Sequence, residues 1–141
     1  MTVRRATLQD ADALAQLIDG AYQGYRDRGV DLPDVSGGVA DAIADGAVWV
    51  IGEAAPVGVL MLSTKGPDAH LMNIAVSADA QGQGVGGKLI RHAMDQAREA
   101  GCKGIALATH VDLAENIALY EHLGWSETGR EGARVMMYRA I

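Results

Sequence analysis

From Gln81 to Lys88 the chain reads Gln-Gly-Gln-Gly-Val-Gly-Gly-Lys, four glycines in eight residues. Glycine lets the backbone adopt φ > 0 and come close to a ligand without steric cost, so such a turn can wrap an anion with main-chain amides alone. Before it lies Leu71 to Val76, a short apolar run suited to a buried strand. After it Val85, Leu89, Ala93, Ala97 and Ala100 recur at helical spacing. The first amides of a helix have no intrahelical partner and carry the positive end of the peptide dipoles. A strand, a glycine turn and a helix start therefore point to a phosphate or pyrophosphate as ligand.

Three kinds of protein use such a turn, and the neighbouring residues discriminate between them. Gly82 to Lys88 satisfies Gly-x-x-x-x-Gly-Lys of a nucleotide P-loop, but Leu89 stands where a hydroxyl must hold magnesium. Gly82, Gly84 and Gly87 satisfy the dinucleotide fingerprint. That fingerprint needs an acid at the end of the next strand to bind the ribose, and the next strand, Ile105 to Thr109, contains none.

The third pattern lacks no part. Gln81-x-x-Gly84-x-Gly86, preceded by Ile74-Ala75-Val76 and followed by Lys88-Leu89, resembles the acyl-coenzyme A motif of the GNAT N-acetyltransferase superfamily. Asn116-Ile-Ala-Leu-Tyr120-Glu-His-Leu-Gly124-Trp125 resembles that family's second motif. The resemblance extends over nearly the whole chain and is poorest in the first third. It implies a fold in which a central parallel strand pair splays open around the pantetheine arm of acetyl-CoA. The backbone of Ile74 and Val76 would bind the pantetheine amides. An N–H near Ile74 or Ala75 would serve the thioester oxyanion, and amides of Gln81, Gly82, Gln83, Gly84, Val85, Gly86, Gly87 and Lys88 would hold the pyrophosphate. Gln81 replaces the Arg of many relatives, an ordinary variant if the task is backbone geometry.

Asn116 and Tyr120 are four apart on a helix and share a face. The resemblance implies that both point into the cofactor opening and that Tyr120 donates to the departing sulfur. The acceptor amine must lose a proton to attack, and by position His70, at the head of the central strand, and His110, at the tip of the next, are the candidate bases; His92 and His122 are less well placed. No His/Cys/carboxylate cluster has zinc-like spacing, so no metal is expected. Implied overall is direct transfer of an acetyl group to a primary amine of a small molecule or peptide. The alternative is an inactive relative that binds coenzyme A as a sensor or partner module.

The elements that must position these residues follow from periodicity. Val3 to Ala6 reads as a strand, and Thr7 with Asp10 makes a capping box for a helix carrying Leu14, Leu17, Ile18, Ala21, Tyr22 and Tyr25 on one face and ending at Gly29. Ser36 can cap a short helix to about Ala44. Val48 to Ile51 and Val57 to Ser63 read as a hairpin, and Lys65 to Asp68 turns the chain into the strand at Leu71. The helix from Gly84 to Ala100, closed by Gly101, crosses to a parallel strand at Ile105. A helix from Ala114 to Leu123 and two strands, Trp125 to Thr128 and Arg134 to Arg139, around Gly129 to Gly132 complete the chain. This predicts one α/β domain over residues 1–141, a mixed, mostly antiparallel sheet of six to seven strands with about four helices.

Composition narrows the partners. With 49% hydrophobic and 21% charged residues and a net charge of −6, the 141-residue chain is globular and lacks the basic patch that nucleic acid requires. No apolar run approaches a membrane span, and a soluble cytoplasmic protein is expected. Gly29 to Thr64 contains no Lys or Arg but does contain Asp31, Asp34, Asp41, Asp45 and Glu53, an acidic lip that could attract a cationic amine. The single Cys102 cannot form an internal disulfide and reads as a small apolar filler at a helix–strand junction. A homodimer is possible, although no strand is marked as an interface.

Overall fold

The computed structural model describes residues 2–29, 38–52 and 55–141, with backbone alone at 24–26. Ser36, Asp31, Asp34, Glu53 and the Tyr25 side chain lie outside the described residues. In chain order the elements are β1 (Val3–Arg5), α1 (Ala11–Asp27), α2 (Val39–Ala44), β2 (Val48–Ile51), β3 (Gly58–Ser63), β4 (Ala69–Val76), α3 (Val85–Glu99), β5 (Gly104–His110), α4 (Ala114–His122), β6 (Ser126–Glu131) and β7 (Arg134–Ala140). The strands form a seven-stranded sheet in the order β1-β2-β3-β4-β5-β7-β6. Only β4 and β5 run parallel; the other neighbours are antiparallel. This is the mixed, mostly antiparallel α/β sheet that the sequence predicts.

Each face of the sheet buries one apolar cluster. Val85, Leu89, Ala93 and Ala97 of α3, four residues apart, pack on Trp49, Ile51, Leu60 and Leu62. Leu14 and Ile18 of α1 pack on Val48, Val50 and Val59 from the opposite side. Because side chains alternate along β2 and β3, both strands feed both clusters, which is why they read as continuous apolar runs. Each fully buried aliphatic side chain contributes on the order of 1.5–3 kcal/mol.

Most boundaries fall within one or two residues of the sequence reading, and two differences matter here. β4 begins at Ala69, so His70 sits inside the strand rather than at its head. Gly129 lies within β6, and the last reversal is confined to Gly132 and Ala133, because Gly129, Arg130 and Glu131 continue the ladder with Met136, Val135 and Arg134. Gly101 does close α3, at φ +78°, and Cys102 is buried at that junction with Sγ toward the Thr64 and Gly66 carbonyls.

The capping box at the start of α1 is present. Asp10 accepts from the Thr7 N–H at 2.8 Å and from Arg4 at 2.9 and 3.0 Å, which ties β1 to the helix start. These bonds, that to Arg4 first, hold the Asp10 carboxyl well below its ordinary value of 3.8. Its contribution is therefore present above the unfolded value and is lost as pH falls below about 4. Asp10→Ala should cost about 1 kcal/mol at pH 7, with the difference from wild type shrinking in urea titrations carried toward pH 3.

What positions the site is the way β4 leaves β5. Their parallel pairing is limited to Ala69↔Ile105, His70↔Ala106 and Leu71↔Leu107, after which the strands part. At the same point the β3 register slips: Leu62 pairs with Leu71 and Met61 with Asn73, leaving Met72 as an extra residue. The bulge inverts the alternation, so Ala69 and Leu71 join the α3 cluster while Ala75, of the same parity, joins the α1 cluster. Beyond Leu71, β4 has no strand partner on its β5 side among the described residues, and backbone groups pointing there can meet a ligand.

Candidate active site

The glycine turn has the conformation its composition demands. Gly82 and Gly84 have φ of +82° and +79°, and Gly84 is the N-cap of α3. A Cβ added at either would meet nothing within 4 Å, so the need for glycine there is torsional and the surrounding space is empty. By contrast, a Cβ on Gly58 would come within 2.6 Å of Val85 Cγ1. Gly58 thus seats the first turn of α3 directly on β3, with Val85 fully buried beneath it. The helix start is anchored from below while its amide end stays open.

Beside that turn lies a cleft of about 250 Å³ whose walls come from three regions of the chain: Ile74, Ala75 and Val76 of β4, Gln81 and Gly86 of the turn, and Asn116 and Tyr120 of α4. Ala21 and Tyr22 of α1 close it. Seven residues singled out for cofactor binding are thereby gathered in one cavity. Gly82, Gln83, Gly84, Val85, Gly87 and Lys88 are not among the residues that wall this cleft; they lie between or just beyond Gln81 and Gly86, which are.

Tyr120 is 7% exposed and stands edge-on to Trp125, ring centroids 5.9 Å apart. Trp125 is in turn fixed to β5, its Nε1 donating to the Ile105 carbonyl at 3.0 Å. Burial, with a smaller contribution from Tyr22, pushes the Tyr120 hydroxyl well above its ordinary value of 10. Among the described residues that hydroxyl has no hydrogen-bond partner. A protonated donor therefore faces the cleft.

Across the splay is a second cavity, of about 440 Å³, and Tyr22 borders both. Its Oη donates to Asn73 Oδ1 at 3.3 Å, just past the bulge. His110 lines this second cavity together with Leu113, Glu131 and Arg134. His110 Nδ1 accepts from the Asp112 N–H at 3.0 Å. His70 does not join it: it lines a third cavity, of about 490 Å³, which meets the second at Met72, Ala108 and Arg134. Sequence reasoning gave no role to Asn73, Glu131 or Arg134, and treated Tyr22 as a helix-face aromatic. Periodicity marked Tyr22 as inward-facing, whereas the other three carried no local signal.

Known proteins bear on what such paired cavities do. The model of the acetyltransferase (GNAT) family matches residues 14–125. An uncharacterized N-acetyltransferase of Escherichia coli K12, YjgM, is 32% identical over 157 aligned positions that cover 99% of this chain and 94% of that protein. The ribosomal protein bS18-alanine N-acetyltransferase of the same organism is 38% identical over 80 residues, covering 49% of this chain and 54% of its own length. Among solved structures, the PaiA N-acetyltransferase of Thermoplasma acidophilum, crystallised with coenzyme A, superposes with a TM-score of 0.87 over 99% of this chain and 98% of that one, at 12% identity. With the family match spanning most of the sequence and the fold shared from end to end, this chain belongs to the GNAT family of acetyltransferases and is an acyltransferase enzyme.

Proposed function

We propose that the chain transfers an acetyl group from acetyl-CoA to a primary amine of a small molecule or peptide, by direct attack in a ternary complex. The observation that carries this reading is the shared Tyr22 wall: two cavities meet where β4 and β5 part, so a thioester from one side can reach an amine from the other. The Thermoplasma PaiA protein, which shares this fold, was crystallised with coenzyme A, and this supports coenzyme A as the carrier.

In this reading the unpaired edge of β4 at Ile74 and Val76 takes the pantetheine amides as an added strand would. Amides from Gln81 to Lys88 take the pyrophosphate, and the N–H of Ile74, on the open edge, serves the carbonyl oxygen, whereas that of Ala75 faces β3 across the Val59 pair. The amine lone pair forms the C–N bond, the C–S electron pair leaves with sulfur, and the nitrogen's surplus proton passes to solvent while the thiolate gains one. The products are the amide and free coenzyme A. Tyr120, held protonated by burial, donates a hydrogen bond to the departing sulfur. Full proton transfer from an ordinary tyrosine near 10 to a thiolate near 8.5 is already uphill by about 2 kcal/mol, and burial raises that cost, so hydrogen bonding is the larger part of its role.

Neutralising an α-amine at pH 7 costs about 1 kcal/mol, whereas a lysine-like amine costs about 4–5 kcal/mol. His110 is better placed than His70 to meet the acceptor, since it shares the Tyr22 cavity. With its Nδ1 lone pair engaged by the Asp112 amide, His110 is set to donate through Nε2. An acceptor that needs no strong base, such as an α-amine, suits this site best.

Thermal denaturation with saturating acetyl-CoA, ATP or NAD tests the assignment. A ligand at a hundred times its Kd adds about 2.7 kcal/mol of stability, so acetyl-CoA should raise Tm by several degrees and the nucleotides should not. Stabilisation by ATP or NAD alone would overturn it. Stabilisation by acetyl-CoA with no thiol released from any amine panel would indicate the inactive binding module.

A further inference from the structure

We propose that the amine accepted by this enzyme carries a carboxylate, which Arg134 and His110 hold on the acceptor side of the site. The inference rests on the transferase reading above and adds to it the chemical class of the acceptor.

The sheet register places the two residues together. Arg134 of β7 stands directly opposite His110 of β5 and, on its other side, opposite Glu131 of β6. Directly paired residues on neighbouring strands point to the same face with Cα atoms roughly 4.5–5.5 Å apart. The three side chains therefore emerge as a row, and all three line the cavity that Tyr22 borders.

Hydrogen-bond direction decides what the row can bind. In the neutral ring, His110 Nδ1 is an acceptor for the Asp112 N–H, so the ring proton is on Nε2. In the protonated ring Nε2 also carries a proton. His110 thus presents an Nε2–H donor in either charge state. Beside it the Arg134 guanidinium offers a planar fork of donors whose geometry matches the two oxygens of a carboxylate. Among the described residues neither Arg134 nor Glu131 is in an ion pair, although they face each other across the hairpin. Arg130, four residues before Arg134, is instead closed on Glu127 at 3.0 Å. The cavity therefore holds an uncommitted cation with a second donor at its side, and Met72, Ala108 and Leu113 supply apolar walls. Glu131 in the same row disfavours a dianion such as a phosphate monoester and leaves a monoanion as the better fit.

The test uses matched pairs of primary amines that differ only in the charge of the far end: glycine and glycinamide, β-alanine and its amide, 6-aminohexanoate and its amide. For each, kcat/KM at saturating acetyl-CoA and binding by calorimetry to the protein without acetyl-CoA are measured in wild type, Arg134→Gln and Arg134→Lys. In at least one pair the carboxylate should be preferred roughly 10- to 100-fold over its amide, as expected for charge-assisted bonds. Arg134→Gln should bring that ratio close to one through KM with kcat retained, and Arg134→Lys should restore part of it. Equal use and equal binding of both members of every pair by wild type, or an unchanged ratio in Arg134→Gln, would overturn the proposal. Both variants lie outside the cofactor cleft and should keep the stabilisation by acetyl-CoA. Absence of that stabilisation in wild type overturns the transferase reading instead, and the calorimetric pairs then still decide whether the cavity prefers a carboxylate.

Discussion

Tyr120→Phe is expected to lower kcat about a hundredfold while leaving the KM for acetyl-CoA within about twofold, the pattern for a contact that strengthens only as the sulfur departs. Steady-state assays of thiol release would show it. The variant should fold at least as well as wild type, because the hydroxyl it removes faces the cleft and has no hydrogen-bond partner among the described residues, so no bond is lost with it. An intact Tm alongside the fallen kcat separates chemistry from packing.

The same residue gives an alkaline signature. Burial raises Tyr120 in the folded chain above its ordinary value of 10, so as pH climbs past about 10 the unfolded chain loses this proton first. The folded state then binds more protons than the unfolded one, and stability falls by up to about 1.4 kcal/mol per pH unit from this group. Tyr138, whose hydroxyl donates to Asp68 at 2.8 Å, is also raised and contributes in the same direction. The difference between wild type and Tyr120→Phe in urea titrations from pH 8 to 11 isolates this hydroxyl. Parallel curves would show that Tyr120 is solvated and cannot act as described.

Substitutions at Gly84 should rank by backbone preference alone. Its φ of +79° costs an ordinary L-residue about 1–2 kcal/mol, less for asparagine and more for a β-branched side chain. Gly84→Val should weaken acetyl-CoA binding by roughly 10- to 100-fold, since each 1.4 kcal/mol is a factor of ten, and Gly84→Asn should retain most of it. Calorimetric titration gives the ranking directly. Because an added Cβ there meets no protein atom within 4 Å, a loss with asparagine equal to that with valine would locate the penalty in contact with the ligand, not in the turn's torsions.

How much of this was readable beforehand depends on how far apart the determinants lie. The turn at Gly82 and Gly84, the N-terminus of α3 and its stop at Gly101 were legible because φ preferences and helix caps act within a few residues. The strand order near β4 and β5 was legible from the helix that must cross between them. Tyr120 and Asn116 could be placed on one side of α4 by their spacing, and both line the cofactor cleft.

The acceptor side was not legible in that way. Strict alternation from Leu71 would put Asn73 and Ala75 on Leu71's face; the extra residue at Met72 reverses this, and it is visible only against the register of β3. Tyr22 meets Asn73 from 51 residues away. Arg134 and Glu131 look like two charges flanking a surface turn until pairing with β5 sets them beside His110. Local sequence thus determined the backbone that can grip an anion, because amides and torsions are encoded where they act. Tertiary structure decided which side chains share the second cavity, because a one-residue shift in strand register moves every side chain to the opposite face.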